Sequence, residues 1–268
     1  MHLKKIVLIF LKIFISSTAL TSLTLFIGDR FGGIFWKGSL PPLIYLAFVT
    51  ISGAIFLELG RVPRLNTRRI AELLSTEGYC PEVYALLADW NAKCEKRGCG
   101  ELSRLVTAQF LIDGGHFKEG FGTLGKLDFE ALDRRQKQVY MNTYLYGAVM
   151  LGDKPEADRI FASGEKWLTT VTDKHLAASV KHTLASYEYM CGNKVRAEEL
   201  FMQSIGCTTA RDVLCEDWLG LAACYLDSGR KEQARMAVKT AAEKSVTTVQ
   251  DERVKRAKHL VEQAYNIA

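Results

Sequence analysis

Apolar residues recur at helical spacing through most of the chain, and a glycine-centred phrase interrupts them at intervals. Trp218, Leu221, Ala222 and Tyr225 stand one helical face apart and stop before Gly229. Ala234, Val238 and Ala241 resume the period beyond it. This predicts two amphipathic helices joined at the glycine. The phrase itself repeats. Gly152-Asp153-Lys154-Pro155-Glu156-Ala157 leads to Phe161, Gly192-Asn193-Lys194-Val195-Arg196-Ala197 to Phe201, and Gly229-Arg230-Lys231-Glu232-Gln233-Ala234 to Val238. Weaker versions centre on Gly78, with Val83, Leu87 and Trp90, and on Gly115, with Ala108, Gly120, Leu124 and Leu127. The glycines are thus spaced 37, 37, 40 and 37 residues apart. Self-similarity at this period predicts stacked helix pairs.

Each position in the phrase has a physical reason. The glycine supplies a left-handed residue at the end of one helix without a Cβ penalty. The small residue five positions on lets the next helix approach closely. The large residue four further lies on the same face, one turn along, and fills the gap. Over 249–267 the pattern is one-sided. Val254, Ala257, Val261, Ala264 and Tyr265 form the apolar face, and Asp251, Glu252, Arg253, Lys255, Arg256, Lys258 and Glu262 the other. This predicts a helix that caps the stack with its polar side outward. A helix lying on a membrane surface is the second reading.

The first 60 residues differ. Segments 6–27 and 40–59 are nearly continuously apolar, and each is long enough to cross ~30 Å of hydrocarbon as a helix. A short turn with Gly28, Asp29, Arg30 and Trp36 separates them, and Pro41-Pro42 opens the second. Lys4 and Lys5 precede the first run, and Arg61, Arg64, Arg68 and Arg69 follow the second. Positive charge at both ends predicts a membrane hairpin with both termini cytoplasmic, and the compactness of the hairpin points to a plasma (bacterial inner) membrane. The four arginines read as a topology signal or as contacts to anionic head groups. A cleaved signal peptide is the second reading of the first run.

Charge and cysteines narrow the function. Residues 61–268 carry 30 Lys/Arg against 28 Asp/Glu, too balanced for a nucleic-acid binder. Seven cysteines, an odd number without a Cys-x-x-Cys pair, read as reduced thiols rather than a disulfide framework. Cys94 and Cys99 flank a basic turn and are read as ordinary turn cysteines, with a transient redox pair as the alternative. The five histidines are scattered, and none of the glycine-rich stretches has a phosphate-loop pattern. No catalytic residue, metal site or cofactor is expected.

The last unit, with Trp218, Leu221, Ala222, Tyr225, Gly229, Ala234, Val238 and Ala241, resembles the tetratricopeptide repeat at nearly every signature position, lacking only its closing proline. Leu184, Ala185, Gly192, Ala197, Phe201 and Ser204 match in the unit before, although Lys181 and Glu188 stand where Trp and Tyr are usual. Met141, Tyr144, Gly152, Ala157, Phe161 and Gly164 match in the one before that, with Leu145 where a small residue is usual. The period exceeds the family's 34.

The resemblance implies an all-α fold: a right-handed solenoid of about four to five helix pairs after the two transmembrane helices, with a C-terminal capping helix. The domain boundaries expected are 1–60 for the hairpin, 61–70 for a basic linker, 71–130 for degenerate repeats, 131–245 for clear repeats and 246–268 for the cap. It also implies that first helices line a concave face that binds peptides or helices. Carried over by position, that face holds Leu105, Gln109, Asn142, Tyr146, His182, Ser186, Tyr189, Leu219 and Ala223. The family's clamp for a terminal carboxylate is not supported, since Leu105, Leu219 and Ala223 stand where polar groups are needed. The function expected is a membrane-anchored, non-enzymatic scaffold or adaptor that binds a protein or peptide partner at the cytoplasmic face. The lipid partner is the membrane around the hairpin. The second reading is a structural or assembly subunit of a larger membrane complex, and an enzyme is the third.

Overall fold

The computed structural model describes residues 63–266. These form eleven α-helices and one short 3-10 turn, with no strand among the described residues. In chain order they are α1 (Thr67–Thr76), α2 (Pro81–Lys96), α3 (Gly100–Asp113), α4 (Phe117–Leu124), α5 (Arg134–Leu151), α6 (Lys154–Leu168), α7 (Lys174–Met190), α8 (Lys194–Ile205), α9 (Arg211–Asp227), α10 (Lys231–Lys244) and α11 (Thr248–Asn266).

The expectation of a membrane hairpin, and with it of an integral membrane protein, is corrected here. No helix among the described residues is long and apolar enough to cross a membrane. The reason is visible in the two longest. In α11, Asp251, Glu252, Arg253, Lys255, Arg256, Lys258 and Glu262 fall on every turn, and α5 opens with Arg134, Arg135 and Lys137. Segments 6–27 and 40–59, and Arg61 with them, lie outside the described residues.

The chain divides into two compact units. One includes Ala92–Gly100, and the other holds Leu65–Asn91 and Glu101–Ala268. In the smaller unit the end of α2 turns through Gly98 at φ 69°, and the Cys99 thiol donates to the Cys94 carbonyl at 3.4 Å.

The larger unit is solenoid-like, an array of antiparallel helix pairs. Gly78, Gly115, Gly152, Gly192 and Gly229 sit at the five joints, and all have φ between 71° and 87°. At Gly152 the joint is completed by Asp153, whose side chain accepts from the Glu156 amide at 3.2 Å, with Pro155 in the first turn. At the start of α5, Asp133 and Gln136 form a reciprocal capping box. The small residues after the joints, Ala157, Ala197 and Ala234, are fully buried, as close helix approach requires.

The core runs along the array as four linked clusters. Ile70, Leu73, Val83 and Leu87 join α1 to α2. Leu105, Ala108, Ile112, Leu124 and Leu127 follow, and then Met141, Leu145, Ala157, Ile160 and Val180. The last holds Ala197, Phe201, Cys215, Leu221, Ala234, Val238, Val254 and Val261. Tyr144 packs against both middle clusters and Leu184 against the last two, so each pair buries the apolar face its neighbour cannot cover alone. Within this unit the array curls back on itself until α11 touches α1. A Cβ on Gly78 would come within 2.6 Å of Thr248 Oγ1, so the first joint rests directly on the start of the last helix.

Candidate functional site

The curl surrounds a cavity of about 770 Å³ that is half open to solvent. It is lined by one face of every first helix: Leu74 and Ser75 of α1, Gln109 and Asp113 of α3, Asn142, Thr143 and Tyr146 of α5, Ser179 and His182 of α7, and Asp212 and Glu216 of α9. Tyr79, from the first joint, and Gln250 and Arg253 of α11 close it. Spacings of three and four along these helices, as in Asn142/Tyr146 and Asp212/Glu216, put each set on a single face. None of α2, α4, α6, α8 or α10 reaches it.

Charge in the cavity is partly paired. Arg253 Nη1 lies 2.9 Å from Glu216 Oε2, with the two side chains 28% and 20% exposed. Burial opposes the Arg253 charge, but Glu216 and Tyr146 outweigh it and hold the guanidinium firmly protonated. Arg253 also lies near Tyr146, whose acidity is suppressed by burial and by the Asp113 carboxylate against the pull of that guanidinium. Arg211 is turned away to the end of α10, donating to the Glu243 carbonyl at 2.8 Å. Gln250 ties α11 to α9, donating to the Asp212 carbonyl at 3.0 Å.

Asp113 is different. Its side chain is exposed to the water of the cavity, at the crowded end of α3 where neighbouring protein still weighs on its charge. Desolvation, with Glu216 and Asp212 nearby, pushes its carboxyl up to about 7 against the opposing pull of Arg253 and His182.

His182 is backed by Asp217. The imidazole Nδ1 is 2.9 Å from Asp217 Oδ1, and Asp217 is wholly buried. Burial raises the Asp217 pKa while the His182 contact lowers it, with a net rise. A carboxylate at Nδ1 fixes the ring and leaves Nε2 as an acceptor when the ring is neutral. Tyr146 and Phe201 flank the ring at centroid distances of 6.0 and 5.7 Å. No cluster of His, Cys, Asp or Glu able to hold a metal ion occurs among the described residues.

Of the residues expected on the concave face, Gln109, Asn142, Tyr146 and His182 line the cavity. Ser186 and Tyr189 do not. They lie one and two turns further toward Gly192, where the Ser186 hydroxyl donates to the His182 carbonyl at 3.0 Å and Tyr189 to Asp227 at 2.8 Å. Leu105 is buried in the core and Leu219 packs against it. Arg69 is held by Glu82 at 2.9 Å and Glu72 at 3.2 Å, fastening α1 to α2, while Arg64 and Arg68 are exposed.

Sequence reasoning missed Tyr79, Asp113, Thr143, Glu216 and Arg253. From sequence, Arg253 falls on the outward polar face of the tail, whereas it points into the cavity. One signal was present: Glu216 and Asp217 stand between Cys215 and Trp218 in an otherwise apolar stretch of helix, where charge is rarely tolerated without a purpose. Comparison with family models, curated proteins and solved structures finds no match to this chain.

Proposed function

We propose that the chain is a tetratricopeptide-like scaffold that binds a segment of a protein or peptide partner in the cavity lined by its first helices. The observation that carries this reading is the convergence of all five first helices, with α11, on one polar and aromatic space of about 770 Å³. That size suits a short stretch of chain or a few side chains better than a flat protein surface. The surplus of hydrogen-bonding groups over nucleophiles and metal ligands favours holding over chemistry. Tyr146, Tyr79 and Phe110 provide amphipathic or apolar anchors in the wall.

The test is affinity capture of the tagged full chain from its own cells, with Ser179→Phe to fill the cavity and Val195→Ser on the exposed outer surface as control. Partners retained by the parent and by Val195→Ser but lost from Ser179→Phe are expected. Partners that survive Ser179→Phe unchanged would place recognition elsewhere and end this reading.

A further inference from the structure

Hydrogen-bonding groups around the cavity do not balance. Its two guanidiniums are committed, Arg253 to Glu216, and Arg211 to backbone carbonyls at the end of α10. The carboxylates are in excess. Asp212 sits in the first turn of α9, where the helix dipole favours negative charge. Asp113 has no such support. It is the last residue of α3, where the dipole disfavours a carboxylate, and no hydrogen-bond or ion-pair partner reaches its side chain among the described residues.

A second, independent observation lies on the adjoining wall. Asn142 and Thr143 are 8% and 4% exposed, and the side-chain oxygen of each has no partner. A buried polar atom left unsatisfied costs about 1–3 kcal/mol, so two neighbours in one wall point to a ligand that completes them. Carboxylate, amide and hydroxyl oxygens can all accept, and a ligand matching them brings N–H donors and positive charge. Tyr79 and Tyr146 also line the wall, and aromatic rings attract cations.

We propose that the cavity takes an ammonium or guanidinium group, delivered as the lysine or arginine side chain of a peptide segment, with Asp113 as its counter-ion and Asn142 and Thr143 as neutral acceptors. This rests on the peptide-binding reading above and specifies its ligand. A cation there would offset the mutual repulsion of Asp113, Glu216 and Asp212 and satisfy the buried Asn142 and Thr143 oxygens.

The test is selection from a pool of blocked, random-sequence decapeptides by the immobilised full chain, with retained peptides sequenced by mass spectrometry. Titrations of free L-arginine and spermidine by calorimetry run in parallel. Retained peptides enriched about five-fold or more in Lys or Arg, with the enrichment lost in Asp113→Asn, are the expected result. The variant removes an unfavourable charge, so it is expected to fold, and circular dichroism checks this. Should it not fold, the composition selected by the unaltered chain still decides.

Peptides retained without basic preference, or enriched in Asp or Glu, would overturn the cationic assignment and leave peptide binding standing. No peptide retained above an unrelated control protein would overturn the peptide reading itself. In that case, free amines that bind and are lost in Asp113→Asn would support the cation chemistry from a small-molecule source. Amines that also fail to bind would overturn it.

Discussion

Arg253 and Glu216, 37 residues apart in the chain, meet at 2.9 Å and fasten the last helix to the cavity wall of the helix pair before it. Neither lies free at the surface, and Glu216 shares its surroundings with Asp113. Removing the arginine therefore leaves carboxylates facing one another. Arg253→Leu is expected to lower stability by about 2 kcal/mol, read from the midpoint of denaturant unfolding. The double variant Arg253→Leu/Glu216→Leu is expected to recover part of that loss. If the two losses simply add, the residues do not act as a pair.

Asp113 predicts a pH dependence with a definite sign. Its folded value of about 7 is above the ordinary 3.8, so the folded state holds the proton more tightly than the unfolded chain. The penalty is absent below pH 3.8, grows as pH rises, and is complete above about 7. Arg253, Glu216, Asp212 and His182 face it and are unchanged in Asp113→Asn. At pH 8 the variant is expected to be more stable than the parent by about 1 kcal/mol, discounted for the water that reaches the site, or about 3 °C in Tm. At pH 4 the two melting temperatures should coincide. An equal offset at both values would show that Asp113 does not titrate in this range.

The helix joints predict a backbone effect without a steric one. Gly192 has φ 87°, and a Cβ there would meet nothing within 4 Å. Gly192→Ala is expected to lose about 1 kcal/mol from the left-handed conformation alone, and Gly192→Asn less, because asparagine visits that region more readily. Thermal unfolding of both variants checks the order. A more stable Gly192→Ala would mean that the joint can relax to negative φ.

Two other glycines reverse this logic. Gly220 lies inside α9 with the Phe201 ring against it, and Phe201 is 2% exposed. Gly164 lies inside α6 against the Met141 methyl end. The ring is rigid and enclosed, and the thioether chain can swing. Gly220→Ala is expected to lose about 2 kcal/mol by overpacking, and Gly164→Ala less, partly offset by its better helix propensity. Equal losses in calorimetric unfolding would contradict the difference in compliance.

The joints were legible because their causes are local. Gly78, Gly115, Gly152, Gly192 and Gly229 announce themselves by the apolar periods on either side, and each adopts the backbone that only glycine takes easily. Gln109, Asn142, Tyr146 and His182 were legible by position on first helices, and they do line the cavity. Tyr189 shows the limit of that transfer. It sits on the same helix as His182, but its hydroxyl is taken by Asp227 near the end of α9. Asp113 and Arg253 were not legible as partners in one site, because 140 residues separate them and nothing local to either marks the other.

Taken alone, the sequence determined the helices, their pairing and the glycine turns between them, since periodicity, capping and allowed φ act over a few residues. Tertiary structure alone decided that the array curls until α11 meets α1, that Arg253 turns inward from a face that reads as solvent-exposed, and that Asp113 comes to stand beside Glu216 and Asp212. The physical reason is accumulation. Each helix pair is rotated slightly against the next, and only the sum of those rotations sets where the two ends of the array meet and which charges come to face each other.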